Sequence, residues 1–298
     1  MKTGKRKQYI AALRLHTLPL SLCGIIFAGF AGIAAVSNSM TNNSIIIITL
    51  TVLTTIFLQL LSNIANDLGD MQKGADTAER LGPQRGLQTG ELSKKNYYIM
   101  LTLFILGAII SGCFLVYFAL DSFFTRDGII MLSLGGLAVI AAITYTMGRK
   151  AYGYYALGDL FVYLFFGLLS TMGTYFLLTQ QINTTLLLPA SSIGFLATGV
   201  LNLNNMRDIE NDKLHNKNTL ASLLGLNKAK IYHSFLIIAA FLLMAIYLSD
   251  PLLLTIPFIT NHLIKVHKSP SNQLNPQLKH LSLISLLFSI IAGLTVVL

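Results

Sequence analysis

The chain contains no tryptophan, only two cysteines and few charged residues. Charged side chains make up 11% of its 298 residues, whereas hydrophobic ones make up 54%. So low a charged fraction excludes an ordinary soluble domain. Without tryptophan, anchoring at a membrane interface depends on the 12 tyrosines and on Lys and Arg. Cys23 and Cys113 both lie inside apolar runs, so they indicate neither a disulfide nor a metal site.

Long apolar runs dominate what the sequence does contain. Most of them reach the ~20 residues that a membrane-spanning helix needs. The run at 251–264 is short and contains two prolines, which makes it the weakest. The basic N-terminus resembles that of a signal peptide, but no small-residue cleavage site follows it, so we expect a retained first helix. We count about nine spans, which cover roughly residues 17–36, 45–65, 97–120, 128–147, 157–179, 185–203, 231–249, 251–264 and 281–298.

Basic residues are concentrated on one side of these runs. If the N-terminus is cytoplasmic, 20 of the 21 Lys and Arg residues lie in cytoplasmic segments and only Arg126 lies on the far side. This is a strong positive-inside pattern, and it predicts a multi-pass protein of the lipid bilayer. The net charge of +9 follows from this topology, so we expect no nucleic-acid partner. The cytoplasmic segments are 1–16, 66–96, 148–156, 206–230 and 265–280.

Two acidic motifs follow apolar runs on this cytoplasmic side. The first reads NIANDLGD and the second NNMRDIEND. If each helix continues through its motif, each set of Asn and Asp side chains falls on one helical face, spaced i, i+4, i+7 or i, i+4, i+8. Unpaired carboxylates are costly there and are usually functional. The residues are Asn63, Asn66, Asp67 and Asp70 in the first motif, and Asn204, Asp208 and Asp212 in the second.

Four carboxylates in one place repel one another unless a strongly positive group joins them. Carboxylate and amide oxygens are ligands that suit Mg²⁺. This ion usually binds only a few protein side chains and completes its coordination shell with water and substrate phosphates. The sequence therefore predicts Mg²⁺ held by Asp67, Asp70, Asp208 and Asp212 with Asn63 and Asn204, together with a diphosphate at a membrane face.

The motifs follow the second and the sixth run, 141 residues apart from Asp67 to Asp208. This spacing favours an all-α membrane fold with two pseudo-repeated four-helix units plus one helix around a central cavity. The alternative is that the two motifs resemble each other by coincidence, because the sequences of the two halves match only weakly. We find no linker and expect one integral-membrane domain over residues 1–298.

Basic loops beside the motifs supply candidate diphosphate ligands. Each has a simpler interpretation: a solvated loop, a membrane anchor or, for Arg207, a pair with Asp208. Tyr145 begins the pattern Y-x-x-x-R-K, and its ring can face a cation. The basic candidates are Lys73, Arg85, Arg149, Lys150, Arg207 and Lys217.

Two further residues are candidates for contact with a second substrate. Asp159 begins the fifth run, although a helix N-terminus also favours a carboxylate for structural reasons. His16 lies beside Arg14 at the start of the first run, where a lone histidine is more often an interfacial residue.

Together these segments resemble the intramembrane aromatic prenyltransferases of the UbiA superfamily, over essentially the whole chain. The Asp motifs mark the superfamily, whereas KGADTAERLGPQR and GYYALGD resemble its menaquinone-pathway branch. The resemblance implies nine helices around a cavity that opens to lipid, with Mg²⁺ held by both motifs. It also implies a bacterial inner-membrane enzyme that transfers a polyprenyl group from polyprenyl diphosphate to 1,4-dihydroxy-2-naphthoate with loss of CO₂. Lys73, Asp76 and Arg85 match the loop after the first motif, and Asp76 is a candidate for the acceptor side.

The sequence departs from this branch at two places. Asn218 and Leu223 stand where basic residues are usual after the second motif, and Leu15 and His16 replace the commoner Pro and Lys. These changes affect how diphosphate charge is shared, but they leave the metal motifs intact. No obligatory protein partner is evident.

Other functions stay open at this point. Within the superfamily the acceptor can instead be 4-hydroxybenzoate, homogentisate or haem. Outside it, the Asp motifs can form the ion site of a divalent-cation or organic-anion transporter, although such sites more often lie near the membrane midplane. A non-catalytic scaffold does not explain Asn and Asp residues at helical spacing.

Overall fold

The computed structural model describes residues 2–36, 41–74, 86–248 and 255–298. Within these ranges the regular secondary structure is helical, and the one β-bridge is an isolated pairing of Tyr155 with Asn218. A π-helical stretch, Tyr163–Gly173, joins the sixth helix to the seventh. The α-helices are α1 Lys2–Leu13, α2 Leu18–Ala35, α3 Asn42–Gln72, α4 Lys94–Leu120, α5 Arg126–Thr144, α6 Gly158–Val162, α7 Thr174–Thr179, α8 Leu187–Arg207, α9 Ile209–Leu214, α10 Leu220–Leu224, α11 Leu226–Leu248, α12 Ile256–Lys268 and α13 Asn275–Val297.

Several of these helices begin where a side chain caps the backbone. The hydroxyl of Thr41 accepts a hydrogen bond from the N–H of Ser44 at 3.1 Å and starts α3. Ser93 and Asn96 form a capping box at the start of α4, and Thr125 caps α5. Each cap satisfies an N–H that otherwise has no partner inside the helix. The polar residues between the apolar runs therefore determine where the spans begin.

Eight helical segments among the described residues are long and apolar enough to cross a membrane. The second lies within α3 and contains the first motif, and the sixth contains α8 and ends at Arg207, directly before Asp208 of the second motif. The motifs are therefore at the ends of the second and sixth spans, as predicted. The structure does not confirm a ninth span. The described part of the predicted run at 251–264 belongs to α12, whose 13 residues are shorter than the ~20 that a span needs.

The helices pack into two large hydrophobic clusters. One joins α3 to α4 and α1 through buried side chains that include Leu61, Ile64 and Tyr97. The other joins α2, α8, α11 and α13 and contains Phe27 and Phe288. The outer faces of α4 and α5 carry exposed Leu, Ile and Phe side chains, as expected for surfaces that contact lipid. Each motif helix therefore belongs to a different cluster.

The predicted continuous helix through the second motif is wrong at one residue. Helix α8 ends at Arg207 and α9 begins at Ile209, with Asp208 between them at φ −97° and ψ 10°. The Arg207 side chain turns onto the adjacent Asp208, a contact that neighbouring residues do not make on a regular helix. Helical hydrogen bonds persist across the break, since the N–H of Asp212 bonds to the carbonyl of Asp208 at 2.8 Å.

Candidate active site

Both acidic motifs line a single cavity of about 1290 Å³ between the two clusters. The C-terminal end of α3 supplies the first motif, and the C-terminal end of α8 with α9 supplies the second. All four carboxylates are buried, with exposed fractions between 1% and 6%. The carboxylate residues are Asp67, Asp70, Asp208 and Asp212.

Close backbone packing places α3 against the segment that carries Tyr145. A Cβ atom at Gly69 would lie 2.6 Å from the backbone carbon of Thr146, so only glycine permits this approach. The hydroxyl of Thr146 also donates to the carbonyl of Ala65 at 3.1 Å. As a result, Tyr145 lines the same cavity as the first motif.

In the first motif, Asp67 accepts hydrogen bonds from two residues of other elements. The guanidinium of Arg14 forms an ion pair with Asp67, and the hydroxyl of Tyr97 donates to its Oδ2 at 3.1 Å. Arg14 has a left-handed backbone conformation with φ 49°, which turns the chain between α1 and α2.

Asn63 holds this turn in place. Its amide nitrogen donates to the carbonyl of Leu13 at 2.8 Å and to the hydroxyl of Thr17 at 3.2 Å. Its amide oxygen accepts from Gln59 at 3.2 Å. Asn63 therefore lines the cavity and also positions the segment that carries Arg14.

In the second motif, Arg207 binds the carboxylate of Asp208 with Nε at 2.7 Å and Nη2 at 2.5 Å. The same guanidinium donates to the side-chain oxygens of Asn204 at 2.8 Å and Asn275 at 2.7 Å. Asn275 begins α13, so Arg207 joins the motif to the last helix. This network agrees with the simpler of the two interpretations of Arg207, in which it pairs with the adjacent Asp208.

Lys217 lies among the carboxylates of both motifs. Its ammonium is 3.6 Å from Oδ1 of Asp212. Burial alone would lower the pKa of Lys217, but the charges of Asp70 and Asp212 outweigh burial and raise it. Burial, together with the charges of Asp208 and Asp70, raises the pKa of Asp212 to about 6, although Lys217 opposes this rise. The two motifs therefore act on each other electrostatically.

Aromatic rings form one wall of the cavity. The ring centroids of Tyr145 and Tyr152 are 5.3 Å apart in an edge-on arrangement, and Tyr152 stacks on Phe161 at 4.1 Å. Phe161 is followed by Phe165 at 6.1 Å on the π-helical stretch. Burial raises the pKa values of Tyr145 and Tyr152, so both hydroxyls stay protonated. Only Tyr145 of this wall was singled out from the sequence.

The structure brings most of the sequence-predicted site residues to the cavity, but not all. Lys73 caps the end of α3 and contacts the ring of Tyr154 rather than the cavity wall. Arg149 and Lys150 are exposed in the turn after α5 and do not line the cavity. Arg85 and Asp76 lie outside the described residues. The residues that line it are His16, Asn63, Asn66, Asp67, Asp70, Tyr145, Asn204, Arg207, Asp208, Asp212 and Lys217.

Asp159 is buried on α6 and is absent from the cavity lining. Its carboxylate accepts a hydrogen bond from the hydroxyl of Tyr232 on α11 at 3.3 Å. This contact ties α6 to α11. The structural interpretation of Asp159, a carboxylate in the first turn of a helix, agrees with this position.

Sequence reasoning missed residues that contact the motifs from elsewhere in the chain. Tyr97 and Tyr154 donate to Asp67 and Asp70, and no spacing in the sequence relates them to the motifs. Arg14 was noticed only as a neighbour of His16. The sequence does hold one signal for them, because each lies in or beside a segment rich in Lys and Arg.

The residues fit a magnesium ion that shares its ligands with a substrate. Within the described ranges no three His, Cys, Asp or Glu side chains are close enough to hold a metal by themselves. Mg²⁺ is usually bound by one or two carboxylates plus phosphate and water, so a closed protein cage is not expected. The amide oxygen of Asn66 is buried at the cavity without a hydrogen-bond partner among the described residues, and it can accept a cation.

The fold and the cavity define a class: a multi-pass membrane protein with two acidic motifs at the C-terminal ends of its second and sixth spans. The sequence profile of the UbiA prenyltransferase family matches residues 25–290. The chain belongs to this family.

Curated relatives agree with this assignment. The chain is 42% identical to a 1,4-dihydroxy-2-naphthoate octaprenyltransferase of Haemophilus influenzae over 303 aligned positions, which cover 99% of this chain and 97% of the relative. It is 39% identical to the protein of the same name from Escherichia coli, over 82% of this chain and 77% of the relative.

Solved structures share the fold. A UbiA homolog from Aeropyrum pernix superposes with a TM-score of 0.64 at 15% identity, covering 91% of this chain and 96% of that one. A UbiA homolog from Archaeoglobus fulgidus, bound to DMAPP and Mg²⁺, gives 0.61 at 17% identity, covering 97% and 99%. The UbiA fold predicted from the motifs is confirmed.

Proposed function

We propose that the chain transfers a polyprenyl group from polyprenyl diphosphate to 1,4-dihydroxy-2-naphthoate, releasing diphosphate and CO₂ and giving demethylmenaquinol. The observation that carries the proposal is that both acidic motifs line one buried cavity with an aromatic wall. The names of the relatives from Haemophilus influenzae and Escherichia coli support this choice of acceptor.

The proposal assigns Mg²⁺ to carboxylates of the two motifs together with diphosphate oxygens, since the acidic side chains among the described residues do not form a metal site by themselves. Asn66 would supply a further oxygen, and the amide oxygens of Asn63 and Asn204, which accept bonds from Gln59 and Arg207, each have a second lone pair. When bound, Mg²⁺ supplies positive charge that stabilises the departing diphosphate. The homolog from Archaeoglobus fulgidus is bound to Mg²⁺ together with DMAPP, which supports a divalent ion in this family.

The cationic side chains bind the diphosphate. Lys217 lies at the cavity among both motifs, and Lys73 lies just beyond the first motif. In the proposal these two ammoniums contact diphosphate oxygens, and Arg207 keeps Asp208 in place. Arg149 and Lys150 contribute long-range attraction for the anion from the exposed turn, because charged groups near a cleft raise the local concentration of an opposite charge.

The aromatic wall faces the electron-poor end of the donor. When the bond between the allylic carbon and the diphosphate oxygen breaks, positive charge develops on that carbon. The ring faces of Tyr145 and Tyr152 stabilise such a cation by ~1–2 kcal/mol where water is excluded. The apolar remainder of the cavity holds the prenyl tail and keeps water away from the cation.

The acceptor reacts at the ring carbon that bears its carboxylate. A new C–C bond forms there, the bond to the carboxylate breaks, and its electron pair restores the aromatic ring. CO₂ therefore leaves where a proton leaves in ordinary aromatic substitution, and the step needs no enzyme base at that carbon. His16 lines the cavity and is assigned to the acceptor side. Asp76 stays a candidate for it, whereas Asp159 does not line the cavity and is not assigned to it.

The proposed location is the bacterial inner membrane, with the cavity opening on the cytoplasmic side. The concentration of Lys and Arg on that side supports this orientation. A lipid-soluble tail and a charged head require a site at the membrane edge, where both motifs lie.

The direct test is an assay of purified protein in detergent with 1,4-dihydroxy-2-naphthoate, a polyprenyl diphosphate and Mg²⁺. Prenylated product and an equal amount of CO₂ are expected, and EDTA is expected to abolish both. Product with 4-hydroxybenzoate or homogentisate but none with the naphthoate would keep the prenyltransferase and reject the proposed acceptor. If no acceptor gives product and the protein carries cations or organic anions across sealed vesicles, a transporter would be favoured instead.

A further inference from the structure

Tyr154 lies between the two motifs without lining the cavity. It belongs to a short 3₁₀ turn, Tyr152–Tyr154, between α5 and α6 and is 7% exposed. Its hydroxyl is 3.5 Å from Oδ1 of Asp70, the last carboxylate of the first motif. The side chain therefore contacts the first motif from a segment that contains neither motif.

The ring of Tyr154 also contacts two lysines from different parts of the chain. The ammonium of Lys73 is 3.6 Å from the ring centroid, and the ammonium of Lys217 is 5.6 Å from it. Both distances lie within the ~6 Å over which a cation is attracted to an aromatic face. Lys73 follows the first motif and Lys217 follows the second, so one ring contacts the cationic side chains of both.

Backbone hydrogen bonds keep this ring in place. The N–H of Asn218 donates to the carbonyl of Tyr154 at 3.3 Å, and the N–H of Ala156 donates to the carbonyl of Asn218 at 2.7 Å. Ala156 has a left-handed conformation with φ 56°, which is costly for alanine and needs such support. Because these bonds use only backbone atoms, they do not depend on the side chain at position 218.

The two lysines carry like charges close to each other. Burial lowers the pKa of Lys73, Asp70 raises it, and Lys217 lowers it. Asp212 already gives Lys217 one negative contact. The face of the Tyr154 ring gives both ammoniums a further one, which keeps them ordered before substrate arrives.

We propose that Tyr154 is a positioning residue for the diphosphate site, holding Lys73 and Lys217 at the spacing that the diphosphate of the donor requires. The proposal rests on the proposed function. It states that the aromatic face of Tyr154 strengthens binding of the diphosphate and that Tyr154 does not affect binding of the acceptor. Lysine side chains lose much conformational freedom when they bind an anion, and ordering them beforehand reduces that cost.

The test compares Tyr154→Leu, Tyr154→Phe and the control Tyr155→Leu in the full chain. Tyr155 is adjacent and 59% exposed, so its substitution removes a ring outside the site. Calorimetry measures the binding of inorganic diphosphate in the presence of Mg²⁺, and kinetics measure KM for donor and acceptor separately. We expect Tyr154→Leu to weaken diphosphate binding and to raise the donor KM by about fivefold to tenfold, with the acceptor KM unchanged.

Tyr154→Phe keeps the ring and is expected to bind diphosphate within about twofold of the wild type, as is Tyr155→Leu. Wild-type affinity in Tyr154→Leu would overturn the proposal. Equal losses in the Phe and Leu variants would also overturn it, since the hydroxyl would then carry the effect. If wild-type protein binds no diphosphate with Mg²⁺, the proposed function fails instead.

A fluorinated ring separates positioning from folding. Pentafluorophenylalanine at position 154 keeps the size of the side chain but removes the negative character of its face. We expect it to bind diphosphate as weakly as Tyr154→Leu while its thermal unfolding midpoint stays near that of Tyr154→Phe. Binding as tight as that of Tyr154→Phe would contradict the proposal even if Tyr154→Leu does not fold.

Discussion

The guanidinium of Arg207 binds the carboxylate of Asp208 through two nitrogens, Nε at 2.7 Å and Nη2 at 2.5 Å, although the two residues are adjacent in the chain. The helix breaks at Asp208 to permit this contact. The remaining donors of Arg207 reach Asn204 and Asn275. One planar side chain thus connects α8, the second motif and α13.

Arg207→Lys keeps the charge but cannot reproduce this set of bonds. We expect a loss of about 2–3 kcal/mol of stability, since hydrogen bonds to a charged group at a buried site are lost. The measurement is the thermal unfolding midpoint in detergent. The matched control is Arg126→Lys, at an exposed position at the start of α5, which should leave the midpoint unchanged. Equal midpoints for the two variants would show that the bidentate contact contributes nothing.

Arg14→Met removes a cationic partner of Asp67. We expect a lower unfolding midpoint without metal, because a carboxylate that is 1% exposed loses its ion pair with Arg14. We also expect Mg²⁺ with inorganic diphosphate to raise the midpoint of this variant more than that of the wild type, since a bound cation replaces the missing charge. Arg6→Met, on the exposed side of α1, is the control. A variant that gains no more from Mg²⁺ and diphosphate than the wild type would refute this.

Gly135→Phe is expected to change the length of donor that the cavity accepts. Gly135 lies on α5 and lines the cavity, and a Cβ at this position meets no described atom within 4 Å. A phenyl ring there fills space that a long tail needs. Forcing carbon atoms into filled space costs ~1–3 kcal/mol, so kcat/KM for octaprenyl diphosphate should fall at least about tenfold while that for geranyl diphosphate is kept. Leu137→Phe, on the exposed face of α5, is the control. An equal loss of kcat/KM for both donors would show that the prenyl tail does not lie beside Gly135.

The sequence predicted the fold class well because apolar length and the sorting of basic residues depend on local composition. The motif helices came out as the second and sixth spans for this reason. The ninth span was not confirmed, since α12 has 13 residues and begins with Pro257 in its first turn. Span number near such a run depends on packing that composition does not describe.

The sequence predicted those parts of the site in which the spacing of residues along one helix determines which side chains lie together. Asn63, Asp67 and Asp70 lie on one face of α3 and line the cavity together. Helical spacing gave no account of contacts between distant segments. Arg14 reaches Asp67 through a left-handed turn, and Tyr154 reaches Asp70 through a 3₁₀ turn, neither of which has a repeating pattern in the sequence.

The central claim is that both motifs serve one metal–diphosphate site. The most direct measurement is Mg²⁺-dependent formation of prenylated naphthol and CO₂ by Asp67→Asn, Asp208→Asn and the exposed control Asp127→Asn in detergent. The account predicts that each motif variant loses at least about 100-fold in kcat/KM while remaining folded, and that the control retains wild-type activity. Loss in only one of the two motif variants would contradict a shared site.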